Sequence, residues 1–304
     1  MVLESCKTEN KTQVPESTIN IKIVEDAVLS NGQLKRVDSF PSKFIKPRNV
    51  DIWLPDGYSE NKKYAVLYMH DGQNLFDATK TWNKQEWRVD EIVSDLTKKD
   101  SIKEIIVVGI WNIPEIRHQD YFPEKAYDLL SQKDKDSLKK YNMTFNADAY
   151  LKFIVNELKP FIDGNFSTLP DSLNTFVSGA SMGGLISMYA VCEYPAVFGG
   201  AACISTHWPG VTPSAYNPIP KAIFKYMESK LPSPQTHKFY FDYGTETLDK
   251  YYPQYLEDVD RVFINKKYNN KNYMNLEFEG ADHSEESWNR RFDIPLTFLL
   301  KKRK

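Results

Sequence analysis

The sequence predicts an α/β fold with a mostly parallel central sheet, antiparallel strands at its N-terminal end and helices on both faces. Three observations lead to this class. Three strand-like segments follow one another early in the chain, and short apolar runs then alternate with stretches of helical periodicity. In addition, 41% of the 304 residues are hydrophobic, which is enough to build a large core.

The early strands explain the antiparallel part of the prediction. They are INIKIVEDAVLS, QLKRVDSF and RNVDIWLP, and the third ends at a turn signal, Pro55–Tyr58. Residues 1–17 precede them and are mostly polar, so we expect a flexible N-terminal tail. Neither an internal repeat nor a Gly/Ser linker interrupts the rest of the chain, and residues 18–304 are predicted to form a single domain.

The later segments explain the parallel part and the helices. Leu151–Ile162 and Met182–Ala190 carry apolar side chains at the spacing of amphipathic helices. Ser287–Leu300 is predicted to be a closing helix with a break or kink at Pro295. Between the helices, continuous apolar runs are typical of buried parallel strands: Tyr64–Met69, Ile105–Ile110, Thr175–Ser178, Ala201–Ile204, Lys238–Asp242 and Asn275–Phe278.

Composition excludes several kinds of partner. The chain has 39 basic and 41 acidic residues, a net charge of −2, which argues against nucleic acid or an anionic membrane as partner. The three cysteines have no zinc-like or disulfide-framework spacing, and neither a metal nor a cofactor is expected. The sequence has no stretch typical of a membrane span or signal peptide, which predicts a cytoplasmic protein as the chain stands. If the start is truncated, the segment ending at Cys6 resembles a lipoprotein processing site, which would predict a periplasmic or outer-membrane anchor.

The strongest motif is GASMGG at Gly179–Gly184, a GxSxG pattern between a predicted strand and a predicted helix. A serine on such a sharp turn requires small neighbours and projects its hydroxyl above the carboxyl edge of the sheet. Ser181 is therefore the candidate nucleophile. The backbone N–H of Met182 lies at the helix N-terminus, where it can donate to a developing oxyanion.

A serine nucleophile needs a histidine base that is oriented by a carboxylate. In strand–serine–helix enzymes the chain order is serine, acid, histidine. Of the five histidines, only His283 follows the last predicted strand and precedes the final helix. The acid should follow the strand Lys238–Asp242, where both Asp249 and Glu246 are candidates, with Asp249 favoured.

A second oxyanion donor is expected in the loop after the first buried strand. That loop reads His70-Asp71-Gly72-Gln73, in which glycine permits a close approach of the backbone to the substrate. The backbone N–H of Gln73 is therefore the predicted partner of Met182.

These segments together resemble the Putative esterase family of α/β-hydrolases, which includes esterase D, feruloyl and acetyl-xylan esterases, enterobactin-type siderophore esterases and mycolyltransferases. The matching segments are YMHDGQNLFD, VVGIWN, GASMGG, FDYGTETLD and GADHSEESW, which lie between Tyr68 and Trp288. The resemblance implies the α/β-hydrolase fold, Ser181 as nucleophile, His283 as base and Gln73 as an oxyanion amide. Many relatives carry the acid three residues after the glycine, where this chain has Thr247. The acid is thus Asp249 or Glu246, or absent in a Ser-His dyad.

The predicted function is a serine carboxylic ester hydrolase working through an acyl-enzyme. Its expected substrates are small-molecule or carbohydrate esters, either acetyl or feruloyl esters of carbohydrates or siderophore trilactones. Trp111, Arg117, Tyr121 and Trp208 are candidate substrate-binding residues, because they lie in loops expected at the rim of the site. Two alternatives are an acyltransferase with the same triad, acting on a sugar hydroxyl, and a non-catalytic binding module on this fold.

Overall fold

The fold is built around one mixed sheet of nine strands in the computed structural model, which describes residues 19–302. The predicted tail and Cys6 lie outside the described residues. The strand order is β1-β2-β3-β5-β4-β6-β7-β8-β9. The strands are β1 Lys22–Ile23, β2 Gln33–Phe40, β3 Arg48–Leu54, β4 Ala65–His70, β5 Ile105–Ile110, β6 Thr175–Ala180, β7 Gly200–Ile204, β8 Lys238–Gly244 and β9 Tyr273–Phe278.

The direction of the strands follows the sequence pattern. β1, β2 and β3 pair antiparallel, and β3 also pairs antiparallel with β5. From β5 through β4, β6, β7 and β8 to β9 every neighbouring pair is parallel. Every residue of β4, β5, β6 and β7 is buried, as expected for parallel strands covered on both faces. The predicted fold class is confirmed.

Helices cover both faces of the sheet and form two apolar cores. One core packs the helices between residues 147 and 265 against one face, and the other packs the first and last helices against the opposite face. The helices are α1 Val89–Lys98, α2 Arg117–Tyr121, α3 Glu124–Asp128, α4 Gln132–Leu138, α5 Ala147–Phe153, α6 Lys159–Asn165, α7 Met182–Glu193, α8 Ile219–Lys230, α9 Leu256–Asn265, α10 Glu285–Asn289 and α11 Asp293–Leu300.

Two helical predictions differ from the structure in detail. The stripe at Leu151–Ile162 lies on α5 and α6, joined by a π-helical turn at Ile154–Leu158. The closing helix is divided into α10 and α11, but the break falls before Asp293 and not at Pro295. Pro295 lies in the first turn of α11, where backbone N–H groups have no acceptor within the helix and proline is tolerated.

The arrangement of the parallel strands places four loops at one edge of the sheet. The loops after β4, β6, β8 and β9 all leave the carboxyl ends of parallel strands. Candidate residues from distant parts of the sequence are thereby gathered along this edge, where α/β proteins bind their ligands.

Candidate active site

Ser181 occupies a sharp turn between β6 and α7. Its backbone angles, φ 59° and ψ −121°, lie in a region that L-residues rarely adopt. The turn is held by a hydrogen bond of 2.9 Å from the Ser181 N–H to the Ile204 carbonyl. A Cβ at Gly179 would lie 2.9 Å from the Gly183 carbonyl carbon, so the crossing of strand and helix requires glycine. The GxSxG pattern is thus explained by backbone contact.

His283 pairs with Asp249. Nδ1 of His283 lies 2.5 Å from Oδ1 of Asp249, and the Asp249 side chain has 0% exposure. The other Asp249 oxygen accepts from the Ser205 hydroxyl and from the Gly244 N–H, both at 2.6 Å. This carboxylate is therefore positioned to orient the imidazole and to stabilise its protonated form.

Glu246 and Thr247, the other two positions considered for the acid, do not contact the imidazole of His283 through a carboxylate. Glu246 is exposed at the surface of the loop. The hydroxyl of Thr247, at the position where many relatives carry the acid, accepts a hydrogen bond of 2.9 Å from the His283 N–H. The structure thus brings Asp249, and not Glu246, to the histidine, while Thr247 helps to hold the histidine loop.

Tyr252 connects the serine with the histidine side of the site. Nε2 of His207 lies 3.1 Å from the Val211 carbonyl, so Nδ1 of His207 accepts from the Tyr252 hydroxyl at 2.9 Å. Burial raises the pKa of Tyr252, and an interaction with the Ser181 side chain opposes that rise. The ring of Tyr252 also lies 6.1 Å from the ring of His283. Tyr252 therefore bonds His207 through its hydroxyl while its ring lies edge-on to the ring of His283.

A buried polar cluster contacts Asp249, the candidate acid. The Ser205 hydroxyl, which donates to Asp249, accepts from Nε1 of Trp288 at 3.0 Å and from Arg291 at 2.9 Å. Arg291 is also paired with the buried Asp242 at 3.1 Å. Sequence reasoning missed this cluster, although an aspartate within a buried strand is a signal that a partner is needed.

Replacing Arg291 with alanine is expected to lower the free energy of unfolding by about 3–5 kcal/mol, because the Asp242 carboxylate would be left buried without its cation. Urea denaturation followed by circular dichroism measures the change. Arg290→Ala is the matched control, since Arg290 is 71% exposed in its pair with Glu286 and is expected to leave the urea midpoint nearly unchanged. Equal destabilisation by both substitutions would contradict the assigned role of the cluster.

The two predicted oxyanion donors lie on adjoining turns. Gln73 is in a 3₁₀ turn, Gly72–Asn74, that follows β4, and Met182 is the first residue of α7. A Cβ at Gly72 would lie 2.4 Å from the Gly109 carbonyl carbon, so the loop lies directly on the neighbouring strand. A Cβ at Gly183 would lie 3.4 Å from the Asp71 carboxylate, which shows that the start of α7 packs against this loop. The N–H groups of Gln73 and Met182 therefore belong to adjacent segments.

A cleft of about 530 Å³ opens beside these turns. Arg117 does not offer it a free positive charge, because its guanidinium makes two bonds of 2.8 Å to Asp71. Burial would raise the pKa of Asp71, but Arg117 and an amide bond from Asn112 outweigh it and lower that pKa. Lining residues are Asp71, Gln73, Asn74, Trp82, Trp87, Asn112, Pro114, Arg117, Ala180, Glu285 and Trp288.

The candidate substrate-binding aromatics occupy other places than expected. Tyr121 is fully buried, and its hydroxyl accepts from the Asp71 N–H at 3.3 Å. Trp208 is buried against Phe224 and Phe241. Both rings are core residues and not cleft walls, because their loops turn them inward onto apolar neighbours. Trp111 is half-buried beside Gln73, in a neighbouring cavity of about 260 Å³. Among the predicted binding residues, Arg117 lines the cleft itself.

The remaining histidines have structural partners. Nε2 of His118 contacts the Gly210 carbonyl, and Nε2 of His237 contacts the Pro195 carbonyl. His70, the last residue of β4, is buried, with Nδ1 2.8 Å from the Tyr150 hydroxyl. Within residues 19–302, His283 is therefore the histidine paired with a carboxylate, and no group of three or more His, Cys, Asp or Glu residues there could hold a metal ion.

Acid is expected to destabilise the fold partly through His70. Burial lowers the pKa of His70 from 6.5 to about 3. Between these values the unfolded chain binds a proton that the folded chain does not, so the free energy of unfolding falls by about 1.4 kcal/mol per pH unit as the pH decreases. Urea denaturation at about pH 7 and about pH 5 measures this dependence. His70→Asn should show a shallower dependence than the unsubstituted protein, and equal slopes would contradict the argument.

The class defined by this fold and site is the α/β-hydrolase with a serine at the strand-to-helix turn. The profile of the esterase family described as "Putative esterase" matches residues 42–299, and the chain belongs to this family. A search of the part of the chain that the structure describes finds no helix long and apolar enough to cross a membrane.

Several individual proteins are similar to this chain in sequence or in fold. An endo-1,4-beta-xylanase/feruloyl esterase of Xylanibacter ruminicola is 26% identical over 206 residues, which is 64% of this chain and 24% of that protein. The matches span less than two thirds of the length of the curated relatives. A solved ferulic acid esterase has a TM-score of 0.64 at 16% identity, covering 89% of this chain and 98% of that chain. The ferric enterobactin esterase from Salmonella typhimurium has a TM-score of 0.62 at 16% identity. The match covers 88% of this chain and 57% of that chain.

Proposed function

We propose that this chain is a serine esterase that acts through an acyl-enzyme on acyl esters of carbohydrates, acetyl or feruloyl, or on siderophore trilactones. The observation that carries the proposal is the Asp249–His283 pair, with 2.5 Å between Oδ1 and Nδ1, on loops at the same sheet edge as the strained turn of Ser181. We propose further that residues 18–304 act as one domain, since all nine described strands join one sheet.

In the proposed first half-reaction, the Ser181 hydroxyl oxygen attacks the ester carbonyl carbon while Nε2 of His283 takes the hydroxyl proton. Asp249 stabilises the resulting imidazolium through Nδ1. The negative charge on the former carbonyl oxygen is held by the N–H groups of Gln73 and Met182. The bond to the alcohol oxygen then breaks, and His283 returns the proton to the departing alcohol.

In the second half-reaction, water attacks the acyl carbon of the Ser181 ester. His283 accepts a proton from that water, and the second oxyanion is held by the same two N–H groups. The acyl–serine bond breaks, Ser181 regains its proton from His283 and the carboxylic acid leaves. Each group is therefore back in its starting protonation state, with one water consumed.

The substrate class is supported by the relatives and by the cleft. Similar proteins are named feruloyl esterase and ferric enterobactin esterase, and a feruloyl group carries an aromatic ring. The cleft of this chain is lined by the indoles of Trp82, Trp87 and Trp288, and its arginine is neutralised by Asp71. Such a lining suits a neutral ester with an aromatic or sugar ring better than a strongly anionic one.

A hydrolysis panel tests the proposal. It contains p-nitrophenyl acetate and butyrate, feruloyl-arabinose, acetylated xylan and enterobactin, each with and without an acceptor sugar. Release of free acid is expected whether or not the acceptor is present. Transfer of the acyl group to the sugar as the main product would favour an acyltransferase. No turnover of any ester would favour a binding module and reject the proposal.

A further inference from the structure

Trp82 is an exposed tryptophan at the mouth of the cleft. Its side chain is 85% exposed, whereas Trp53, Trp87, Trp208 and Trp288 are all buried. Exposing an indole to water is unfavourable, and large exposed apolar groups often mark binding sites. Trp82 also lines the cleft that holds the oxyanion loop, so the exposed ring lies where a substrate would enter.

The segment that carries Trp82, residues 77–88, is fastened to the helix that follows His283. Nδ2 of Asn83 donates to Glu285 at 2.9 Å, and Nδ2 of Asn289 donates to the Glu86 carbonyl at 2.9 Å. The rings of Trp87 and Trp288 lie 5.3 Å apart beneath these bonds. These contacts, all made by residues that directly follow Trp82, hold its segment in a defined position relative to the helix after His283.

The charges around the cleft favour an uncharged group next to Trp82. Arg117 is neutralised by Asp71, to which its guanidinium donates two hydrogen bonds. The carboxylate of Glu285 lies at the cleft wall and accepts amide hydrogen bonds from Asn74 at 3.3 Å and from Asn83 at 2.9 Å. An anionic group would be repelled there, while a neutral aromatic ring can stack on the exposed indole.

We propose that Trp82 is a substrate-binding residue that stacks on a neutral aromatic ring carried by the ester. This inference rests on the proposed esterase function. It assigns to residues 77–88 the role of selecting ring-bearing esters, at a place separate from the groups that perform the chemistry.

The test compares methyl 3-phenylpropanoate with methyl butanoate, which lacks the ring. Trp82→Ala is expected to lower the ratio of kcat/KM for the phenyl ester over the ringless ester by about 2- to 12-fold, mainly through KM, because stacking is lost. Trp82→Phe should restore most of the ratio. Tyr216→Ala is the matched control, since Tyr216 is 60% exposed and bonds Asp134 outside the cleft; it should leave the ratio unchanged.

A fluorescence measurement separates this inference from the esterase proposal. In the Ser181→Ala variant, methyl 3-phenylpropanoate should protect tryptophan fluorescence from acrylamide quenching, and Trp82→Ala in the same background should abolish that protection. If the wild-type chain hydrolyses neither ester, the esterase proposal fails, while protection through Trp82 would still support ring binding. An unchanged ratio in Trp82→Ala, or protection that survives this substitution, would overturn the inference.

Discussion

Replacing Ser181 with alanine is expected to lower kcat for ester hydrolysis by about 10³-fold or more, because the acyl-enzyme can no longer form. The N–H groups of Gln73 and Met182 would remain, so a small rate above that of water should persist. Stopped-flow measurement with p-nitrophenyl acetate should show a burst of nitrophenol for the wild-type chain and none for the variant.

The control for this substitution is stability. The strained angles of Ser181 belong to the turn and not to the hydroxyl, so the alanine variant should keep a thermal unfolding midpoint close to that of the wild type. Near-normal hydrolysis by a folded Ser181→Ala variant would show that another residue is the nucleophile.

Asp249→Asn is expected to lower kcat by about 10³- to 10⁴-fold while preserving the shape of the side chain. An asparagine amide can present its NH₂ group to Nδ1 of His283, which favours the wrong imidazole tautomer, and it carries no charge to stabilise the imidazolium. Steady-state hydrolysis of p-nitrophenyl butyrate measures the loss.

Glu246→Gln is the matched control, because it makes the same change of carboxylate to amide on the exposed side of the same loop. It is expected to keep kcat within about twofold of the wild type, as is usual for a surface change outside a site. A large loss for Glu246→Gln with little loss for Asp249→Asn would reverse the assignment of the acid. Little loss for either would favour a Ser-His dyad.

The choice of acid illustrates what sequence could and could not predict. The order of strand, serine, acid loop and histidine led to Ser181 and His283 as candidates and left the acid as Asp249, Glu246 or absent. Which carboxylate turns inward depends on the Ser205 hydroxyl and the Gly244 N–H, which are brought to the loop by neighbouring strands. Spacing along the chain carries no information about those contacts.

The aromatic residues predicted to bind substrate show a second limit of the sequence, since two of them lie in the core. Tyr121 and Trp208 follow β5 and β7, which end at the same edge of the sheet as β6, and this position in the sequence predicted that both would line the cleft. Position at an edge does not determine whether a ring turns toward solvent or toward the core, and both rings found apolar partners inside. Trp82 was missed because it lies in a polar segment between β4 and α1 without any recognisable pattern.

The bonds between residues 77–88 and α10 have a consequence for protein engineering. Asn83 and Glu86 are hydrogen-bonded to Glu285 and Asn289 of α10. The entrance segment, residues 77–88, and α10 therefore form one connected unit. Grafting only residues 77–88 from a relative would leave Glu285 and Asn289 without their partners. A chimera intended to change substrate preference should therefore move both segments together, although about 200 residues separate them in the chain.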